Sequence, residues 1–214
     1  MGNLVFEQIR VGGDRNFGYL FGDRQAAKAC VIDPSYNPEA LLERAQRQGL
    51  RITHLFNTHG HHDHVNGNEI VVEKTGAKVV WWGQGDNALA DGASISIGQY
   101  ELQILHTPGH SQDHVVLYNP TFGIAFTGDH LFVGKIGGTA TEEGARQQYE
   151  ALQRLLRELP PETTIWPGHD VGCRPSSTLR MEASANPFLE AKSFKEFLQI
   201  KQGWSELKKE KGLL

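Results

Sequence analysis

The sequence predicts an α/β fold in which helices cover a pair of mixed β-sheets. Short β-prone segments alternate with amphipathic helical segments along the 214 residues, and two pairs of neighbouring strands in the middle of the chain are joined by short turns. The 24 glycines indicate many tight turns, a pattern typical of proteins that hold a functional site on loops above a rigid sheet.

The first half of the chain predicts five strands and two helices. β-Branched and aromatic residues mark the strands, and turn-forming residues separate them. The first helix has a proline near its first position, Pro38, and ends before Gly49, which is typical of helix boundaries. The predicted strands are 4–9, 17–21, 29–33, 52–56 and 77–82, and the predicted helices are 38–48 and 67–74.

The second half predicts two hairpins, a long helix, a last strand and a helical tail. Short turns join the strands of each hairpin, and leucines at helical spacing form one face of the long helix. The hairpin strands are 94–97, 100–105, 114–118 and 123–127, the helix is 142–159, the last strand is 163–166 and the tail is 187–214. We expect residues 1–214 to form a single domain that ends in this short tail.

Composition and charge exclude several classes of protein. Apolar residues make up 39% of the chain, enough for a packed core, and no segment approaches the roughly 18 apolar residues of a membrane span. The net charge of −4 disfavours binding to nucleic acid or to an anionic membrane. The two cysteines cannot build a disulfide framework, and the first residues lack a signal-peptide pattern. We therefore expect a cytoplasmic protein with no nucleic-acid or membrane partner.

A cluster of metal-binding side chains directly follows a predicted strand. Residues 58–64 read Thr-His-Gly-His-His-Asp-His. Because side chains two apart in an extended segment point to the same side, His59 and His61 can face one metal ion. Asp63 and His64 come after the chain begins to turn, so they can face a second ion. Imidazole and carboxylate groups are standard ligands for zinc, iron and manganese.

Three further metal-binding side chains, His110, Asp129 and His169, each lie just beyond a predicted strand. A glycine directly precedes each of them, which permits a tight turn and a close approach of the backbone. Taken alone, each residue also fits an ordinary role, either a hydrogen-bonded loop histidine or a turn cap. The recurrence of strand, glycine and ligand favours a shared metal site.

Together these motifs resemble the metallo-β-lactamase superfamily. The matching segments run in the order of the family and are 58–64, 107–110, 127–129 and 167–169. The resemblance implies an αββα sandwich with the metal site at one edge of its sheets. It also implies the ligands, with His59, His61 and His110 for a first metal, Asp63, His64 and His169 for a second, and Asp129 bridging both.

Other residues near these motifs are not assigned to the metals. The unassigned histidines are His54, His62, His106, His114 and His130. Cys173, four residues after His169, is interpreted as a buried and inert thiol.

Segment 127–138 is similar to the glyoxalase II subgroup of this superfamily. That resemblance implies a hydrolase with two divalent ions, zinc first and iron or manganese as alternatives, that cleaves a thiolester such as an S-2-hydroxyacylglutathione by attack of a metal-bridging hydroxide. The chemistry agrees, because a thiol with a pKa of about 8.5 leaves as thiolate without protonation, whereas an amide nitrogen needs an acid. Asp63 and Asp129 could orient the hydroxide, and Lys135 could meet a carboxylate of a glutathione-based substrate.

A persulfide dioxygenase of the same fold is the main alternative. It would bind one iron through His59, His110 and Asp129, a two-histidine, one-carboxylate triad. The Gly-x-Gly-Arg-Thr-Asp segment of that family is absent, since residues 134–139 read Gly-Lys-Ile-Gly-Gly-Thr. A lactonase, a nucleic-acid-processing member and a non-catalytic binding module are less favoured, the last because none of the seven ligand positions is lost.

Overall fold

The structure, a computed structural model, describes residues 2–83 and 90–210. Two large sheets lie face to face, and a small sheet of two strands lies beside them. The strands are β1 (Leu4–Gly12), β2 (Asn16–Asp23), β3 (Lys28–Ile32), β4 (Arg51–Phe56), β5 (Lys78–Val80), β6 (Ser94–Ile97), β7 (Tyr100–His106), β8 (Val115–Asn119), β9 (Ile124–Gly128), β10 (Leu131–Phe132), β11 (Lys135–Ile136), β12 (Thr164–Pro167) and β13 (Ser177–Thr178). The helices are α1 (Pro38–Arg47), α2 (His62–Val65), α3 (Asn68–Thr75), α4 (Glu142–Glu158), α5 (Leu179–Ala185), α6 (Pro187–Glu190) and α7 (Phe194–Glu210).

The strands that lead into the predicted site point toward one edge of the sandwich. In the first sheet, ordered β1-β2-β3-β4-β5, strands β3 and β4 are parallel. In the second, ordered β13-β12-β9-β8-β7-β6, strands β7 and β9 both pair antiparallel with β8, and β12 is parallel to β9. The carboxyl ends of β7, β9 and β12 therefore lie together. Backbone hydrogen bonds of 2.8 Å from Val115 to Thr58 and from Phe17 to Gly168 join the two sheets there.

Alternating side chains of the strands fill three apolar layers. Phe21 of β2 and Phe126 of β9 are fully buried between the sheets, with ring centroids 6.1 Å apart. Leu20 points to the other face of β2, where it shares a cluster with Leu41 of α1. Leu155 of α4 belongs to a third cluster, under the helices that cover the second sheet. The helix, sheet, sheet, helix order confirms the predicted αββα fold class.

Local signals explain where the two main helices begin. The side chain of Asn37 accepts from the backbone N–H of Ala40 at the start of α1, and Pro38 occupies the first turn. Thr141 accepts from the N–H of Gly144 at 3.0 Å at the start of α4. Both helices carry glutamate in the first turn, where the helix dipole favours negative charge.

The predicted elements agree with the structure within a few residues, with some differences. The strand predicted at 77–82 is reduced to β5, and the helical tail consists of α6 and α7, while residues 211–214 lie outside the described part. The elements that were not predicted are α2, α5, β10, β11 and β13. They have two to seven residues, too few for a periodic pattern to emerge. Within the described ranges, every helix is too short or too polar to cross a membrane.

Candidate metal centre

All seven predicted ligands lie at the edge where the two sheets meet. The chain leaves β4 at Phe56, bends at residues 58–59, and is extended at His61 (φ −64°, ψ 142°) before it turns into α2. His59 and His61 lie before this turn, Asp63 and His64 lie in α2, and His110, Asp129 and His169 follow β7, β9 and β12. The local turn thus separates the first pair of side chains from the second.

Three imidazole nitrogens converge at what we call the first site, formed by His59, His61 and His110. The Nδ1 atom of His61 lies 2.9 Å from Nε2 of His59 and 3.0 Å from Nε2 of His110. His59 is fully buried and His61 is exposed, so this site opens to solvent on one side. Three imidazoles with one nitrogen each at a common point are a donor set of catalytic zinc sites.

Asp63, His64 and His169 form what we call the second site, and Asp129 lies between the two. The Nε2 atom of His169 lies 3.4 Å from Oδ2 of both Asp63 and Asp129. The Oδ1 atom of Asp129 lies 3.4 Å from Nε2 of His64, and its Oδ2 lies 3.7 Å from Nε2 of His110. The carboxylate of Asp129 therefore reaches both sites, the position that a bridging ligand needs.

The outer ring nitrogens of two ligand candidates are held by backbone carbonyls. Nδ1 of His110 donates to the carbonyl oxygen of Gly138, and Nδ1 of His169 donates to that of Asp14, each at 2.8 Å. Because a carbonyl only accepts, each Nδ1 carries a proton, and Nε2 is the nitrogen that would offer its lone pair to a bound metal ion.

Asp33 and Thr58, which are not among the predicted ligands, orient two more histidines. Asp33 is buried and accepts from Nδ1 of His64 at 2.9 Å, from the Thr58 hydroxyl at 2.7 Å and from the Thr58 N–H at 2.8 Å. Since the Thr58 hydroxyl gives its proton to Asp33, it accepts from Nδ1 of His59 at 3.1 Å. The sequence did contain a signal for Asp33, because this carboxylate comes directly after a strand, as Asp129 does.

Asn16 holds the carboxylate of Asp63 and His114 holds the backbone of Asp129, and neither was among the predicted site residues. The amide of Asn16 donates to Oδ2 and to the backbone carbonyl of Asp63, both at 3.0 Å. His114 is fully buried and accepts the backbone N–H of Asp129 through Nε2 at 3.2 Å, so its Nδ1 donates to the Thr107 hydroxyl at 2.9 Å. Nothing in the local sequence distinguishes these residues from ordinary core polar groups.

Two buried atoms of the ligand candidates have no hydrogen-bond partner in the described part of the chain. They are Nε2 of His64 and Oδ1 of Asp129. Buried polar atoms are almost always partnered, and a cation between a lone pair and a carboxylate oxygen would satisfy both. The glycine before His169 makes the close approach possible, since a Cβ at Gly168 would overlap Oδ1 of Asp129 and lie 2.8 Å from Cε1 of His64. The residues present therefore fit a metal ion.

The electrostatics of the centre keep its carboxylates ionised. Burial raises the pKa of Asp129, but its hydrogen bond with His169 and the charge of His64 outweigh burial and lower the pKa overall. The pKa of Asp63 is also lowered, because Asn16 and His64 outweigh the burial that would raise it. At His64, burial lowers the pKa, yet the surrounding carboxylates, Asp33 first, raise it to about 9. The centre thus offers two anionic ligands to a cation.

The remaining predicted residues lie outside these ligand groups. Among the described residues, the groups able to hold a metal contain neither His62, which is exposed, nor His106, which stacks on Trp82 at 3.9 Å. The interpretation of Cys173 as buried was wrong, because its loop leaves the side chain exposed. Lys135 lies in β11 and lines a cavity of about 260 Å³.

Comparison with known proteins agrees with this geometry. Residues 19–81 and 80–169 match the family profile of the metallo-beta-lactamase superfamily. A hydroxyacylglutathione hydrolase of Rhodospirillum rubrum is 35% identical over 177 residues, which cover 79% of this chain and 68% of that relative. The mitochondrial persulfide dioxygenase ETHE1 of Bos taurus is 31% identical over 203 residues, which cover 86% of this chain and 75% of that protein.

Solved structures show the same architecture. The crystal structure of ETHE1 from Myxococcus xanthus matches with a TM-score of 0.86 and 33% identity, covering 94% of this chain and 91% of that one. The family profile spans well over half of the sequence. The chain therefore belongs to the metallo-β-lactamase superfamily.

Proposed function

We propose that this protein is a metal-dependent hydrolase of thiolester bonds, with an S-2-hydroxyacylglutathione as the representative substrate. The observation that carries the proposal is the pair of adjacent sites with the Asp129 carboxylate between them. The similarity to hydroxyacylglutathione hydrolase supports it independently.

We propose that the centre holds two divalent ions, zinc first, with iron or manganese as alternatives. When bound, such ions would supply a water of lowered pKa and polarise the acyl carbonyl. His59, His61 and His110 would bind at the first site, Asp63, His64 and His169 at the second, and Asp129 at both. Because the pKa values of Asp63 and Asp129 are lowered, their ionised oxygens can also accept a hydrogen bond from the attacking water and orient it.

The surroundings of the centre favour a leaving group that needs no proton. Both ring nitrogens of His114 are committed, one to the Asp129 N–H and one to Thr107, and burial lowers its pKa well below the usual value. Burial lowers the pKa of His130 to about 3, so this ring is neutral near pH 7. Neither histidine can therefore protonate the nitrogen of a departing amine, whereas a thiolate departs without a proton. A thiolester therefore suits this site better than an amide.

We propose Lys135 as a contact for the substrate. It lines the cavity of about 260 Å³ together with Gly137 and Gly138, and the carbonyl of Gly138 holds the ligand candidate His110. A substrate at the metals would thus extend past this lysine, whose ammonium group attracts a carboxylate on the thiol carrier. This supports a glutathione-based substrate, since glutathione carries two carboxylates.

Persulfide dioxygenase activity is the second candidate, and the match to ETHE1 over most of its length favours it. That reaction would need one iron at His59, His110 and Asp129. It leaves unexplained why Asp63 and His169 lie within 3.4 Å of each other with His64 beside them, as a second metal site requires.

The decisive experiment uses protein purified without added metal, with its metal content measured. Cleavage of S-lactoylglutathione is followed by thiol release, and oxygen uptake is measured with glutathione persulfide. We expect thiol release, about two metal ions per chain and loss of activity in Asp129→Ala. One iron per chain with oxygen uptake and no thiol release would overturn the proposal in favour of the dioxygenase.

A further inference from the structure

The segment that connects β11 to α4 positions one of the ligand candidates. The carbonyl oxygen of Gly138 accepts from Nδ1 of His110 at 2.8 Å. Gly137 packs directly against the centre, because a Cβ there would overlap the carbonyl oxygen of Asp129 and lie 2.9 Å from Nδ1 of His110. The placement of these two glycines therefore decides how the His110 ring is oriented.

A polar side chain from each of two helices holds this segment. Gln148 of α4 is fully buried and donates through Nε2 to the carbonyl of Gly137 at 3.2 Å. Nζ of Lys201, from α7, donates to the same carbonyl at 3.3 Å and to Oε1 of Gln148 at 2.8 Å. Gln148 also packs against Gly109, where a Cβ would come within 2.5 Å of it. Gln148 thus packs against Gly109, directly before His110, and also supports the segment that contains Gly138, whose carbonyl accepts from the His110 ring.

A lysine at position 201 costs folding free energy if its side chain only fills space. The hydrogen-bond acceptors that the structure describes for its ammonium group are uncharged, and burial lowers its pKa to about 8. Lys201 is half-buried, and partly removing a cation from water without a carboxylate partner costs free energy, which a methionine or leucine of similar size would avoid. The side chain lies along Phe197, with Nζ 5.5 Å from the ring centroid. Packing alone therefore does not explain a lysine.

We propose that Lys201 is a positioning residue of the metal centre. Together with Gln148 it fixes the carbonyl of Gly137, and through Gly138 it keeps the His110 ring turned with Nε2 toward the first site. The inference rests on the proposed function, since it takes His110 as a metal ligand. It adds that α7, which contains none of the seven ligands, sets the affinity of the first site.

The first test uses metal-free protein and therefore does not depend on activity. Long-range ¹H–¹⁵N spectra report which imidazole nitrogen is protonated, and comparison with His110→Gln assigns the signal. We expect one tautomer for His110, with the proton on Nδ1, in the unmodified protein. In Lys201→Met the carbonyl of Gly137 loses one of its two donors, and Gln148 loses the group that holds its Oε1 atom, so we expect a mixture of His110 tautomers.

The second test measures zinc affinity at each site by competition with a chromogenic chelator. In Lys201→Met we expect first-site affinity to fall about tenfold while second-site affinity is unchanged, because outer hydrogen-bond partners of ligands typically act on this scale. Lys201→Arg keeps a donor and should restore both readouts. Lys195→Met is the matched control, since it removes an exposed lysine of the same helix.

An unchanged His110 tautomer with unchanged first-site affinity in Lys201→Met would overturn the proposal. An equal loss at both sites would also overturn it, since that indicates general destabilisation. If Lys201→Met does not fold, Lys201→Gln, which is too short to reach Gly137, takes its place. If the unmodified protein binds metal but cleaves no thiolester, the proposed function fails, while the tautomer measurement still decides the role of Lys201.

Discussion

Replacement of Asp33 by asparagine is the sharpest test of how the second site is built. Asparagine has the shape of aspartate and tolerates the left-handed backbone found there (φ 48°), so the change isolates the hydrogen bonds. The buried carboxylate accepts three donors at 2.7–2.9 Å, two from Thr58 and one from His64. An amide has one oxygen and cannot accept all of them.

Either orientation of the new amide carries a measurable penalty. If its oxygen faces the Thr58 hydroxyl and His64, its NH₂ group meets the N–H of Thr58, and an unpaired buried donor costs about 1–3 kcal/mol of unfolding free energy. If it is turned around, its NH₂ donates to Nδ1 of His64, whose proton then moves to Nε2 and blocks the metal. Either orientation replaces the charged acceptor of His64 by a neutral oxygen or by a donor, so we expect Asp33→Asn to weaken zinc binding at the second site by about 10- to 100-fold.

The assay combines zinc competition titrations with denaturant unfolding of the metal-free protein. Asp23→Asn is the matched control, because Asp23 is another buried carboxylate, accepts the N–H groups of Gln25 and Gln99 at 2.9 Å each, and lies at the opposite end of β2 from Asn16. The control should lose stability with unchanged zinc affinity. Second-site affinity equal to that of the unmodified protein in Asp33→Asn would refute the role given to Asp33.

The remaining predictions concern the ligand candidates themselves. Asp129→Ala should abolish turnover and weaken metal binding at both sites, because the Asp129 carboxylate lies beside histidines of each site. Equilibrium dialysis measures the bound metal, and substantial residual turnover would contradict a bridging role. His169→Ala should weaken second-site binding by more than the roughly 10- to 100-fold that loss of an outer hydrogen-bond partner costs, and severely reduce hydrolysis while the first site stays intact. Thiolester cleavage at the normal rate would argue for a mononuclear enzyme. Metal uptake near neutral pH should release a proton, because the pKa of His64 is about 9 without metal, and a ligand must be deprotonated. Affinity should therefore rise with pH up to about 9, and calorimetry in two buffers of different ionisation enthalpy measures the release. Heats that do not depend on the buffer would contradict it.

The candidate ligands could be predicted because their signals are local. Four of them lie within six residues, and His110, Asp129 and His169 share the pattern of strand end and glycine. The structure brings all seven to one edge because β7 and β9 point the same way and β12 runs parallel to β9. The exposure of Cys173 was predicted wrongly, since a local sequence does not say which side of a loop another segment covers.

From the sequence, the alternation of strands and helices predicted helices over a pair of mixed sheets, and the family resemblance implied their αββα order. The spacing of the histidines and aspartates indicated a metal site, because residue type and periodicity act over short stretches of chain. Only the tertiary structure decided which way each ring faces. The acceptor for His64 lies 31 residues away, at Asp33, and that for His169 lies 155 residues away, at Asp14. The bond from His169 to Asp14 forms only when the two sheets close on each other, because β12 and the β1–β2 turn belong to different sheets. The bond from His64 to Asp33 forms because β3 and β4 pair side by side in the first sheet, and Lys201 reaches the carbonyl of Gly137 because α7 packs against α4.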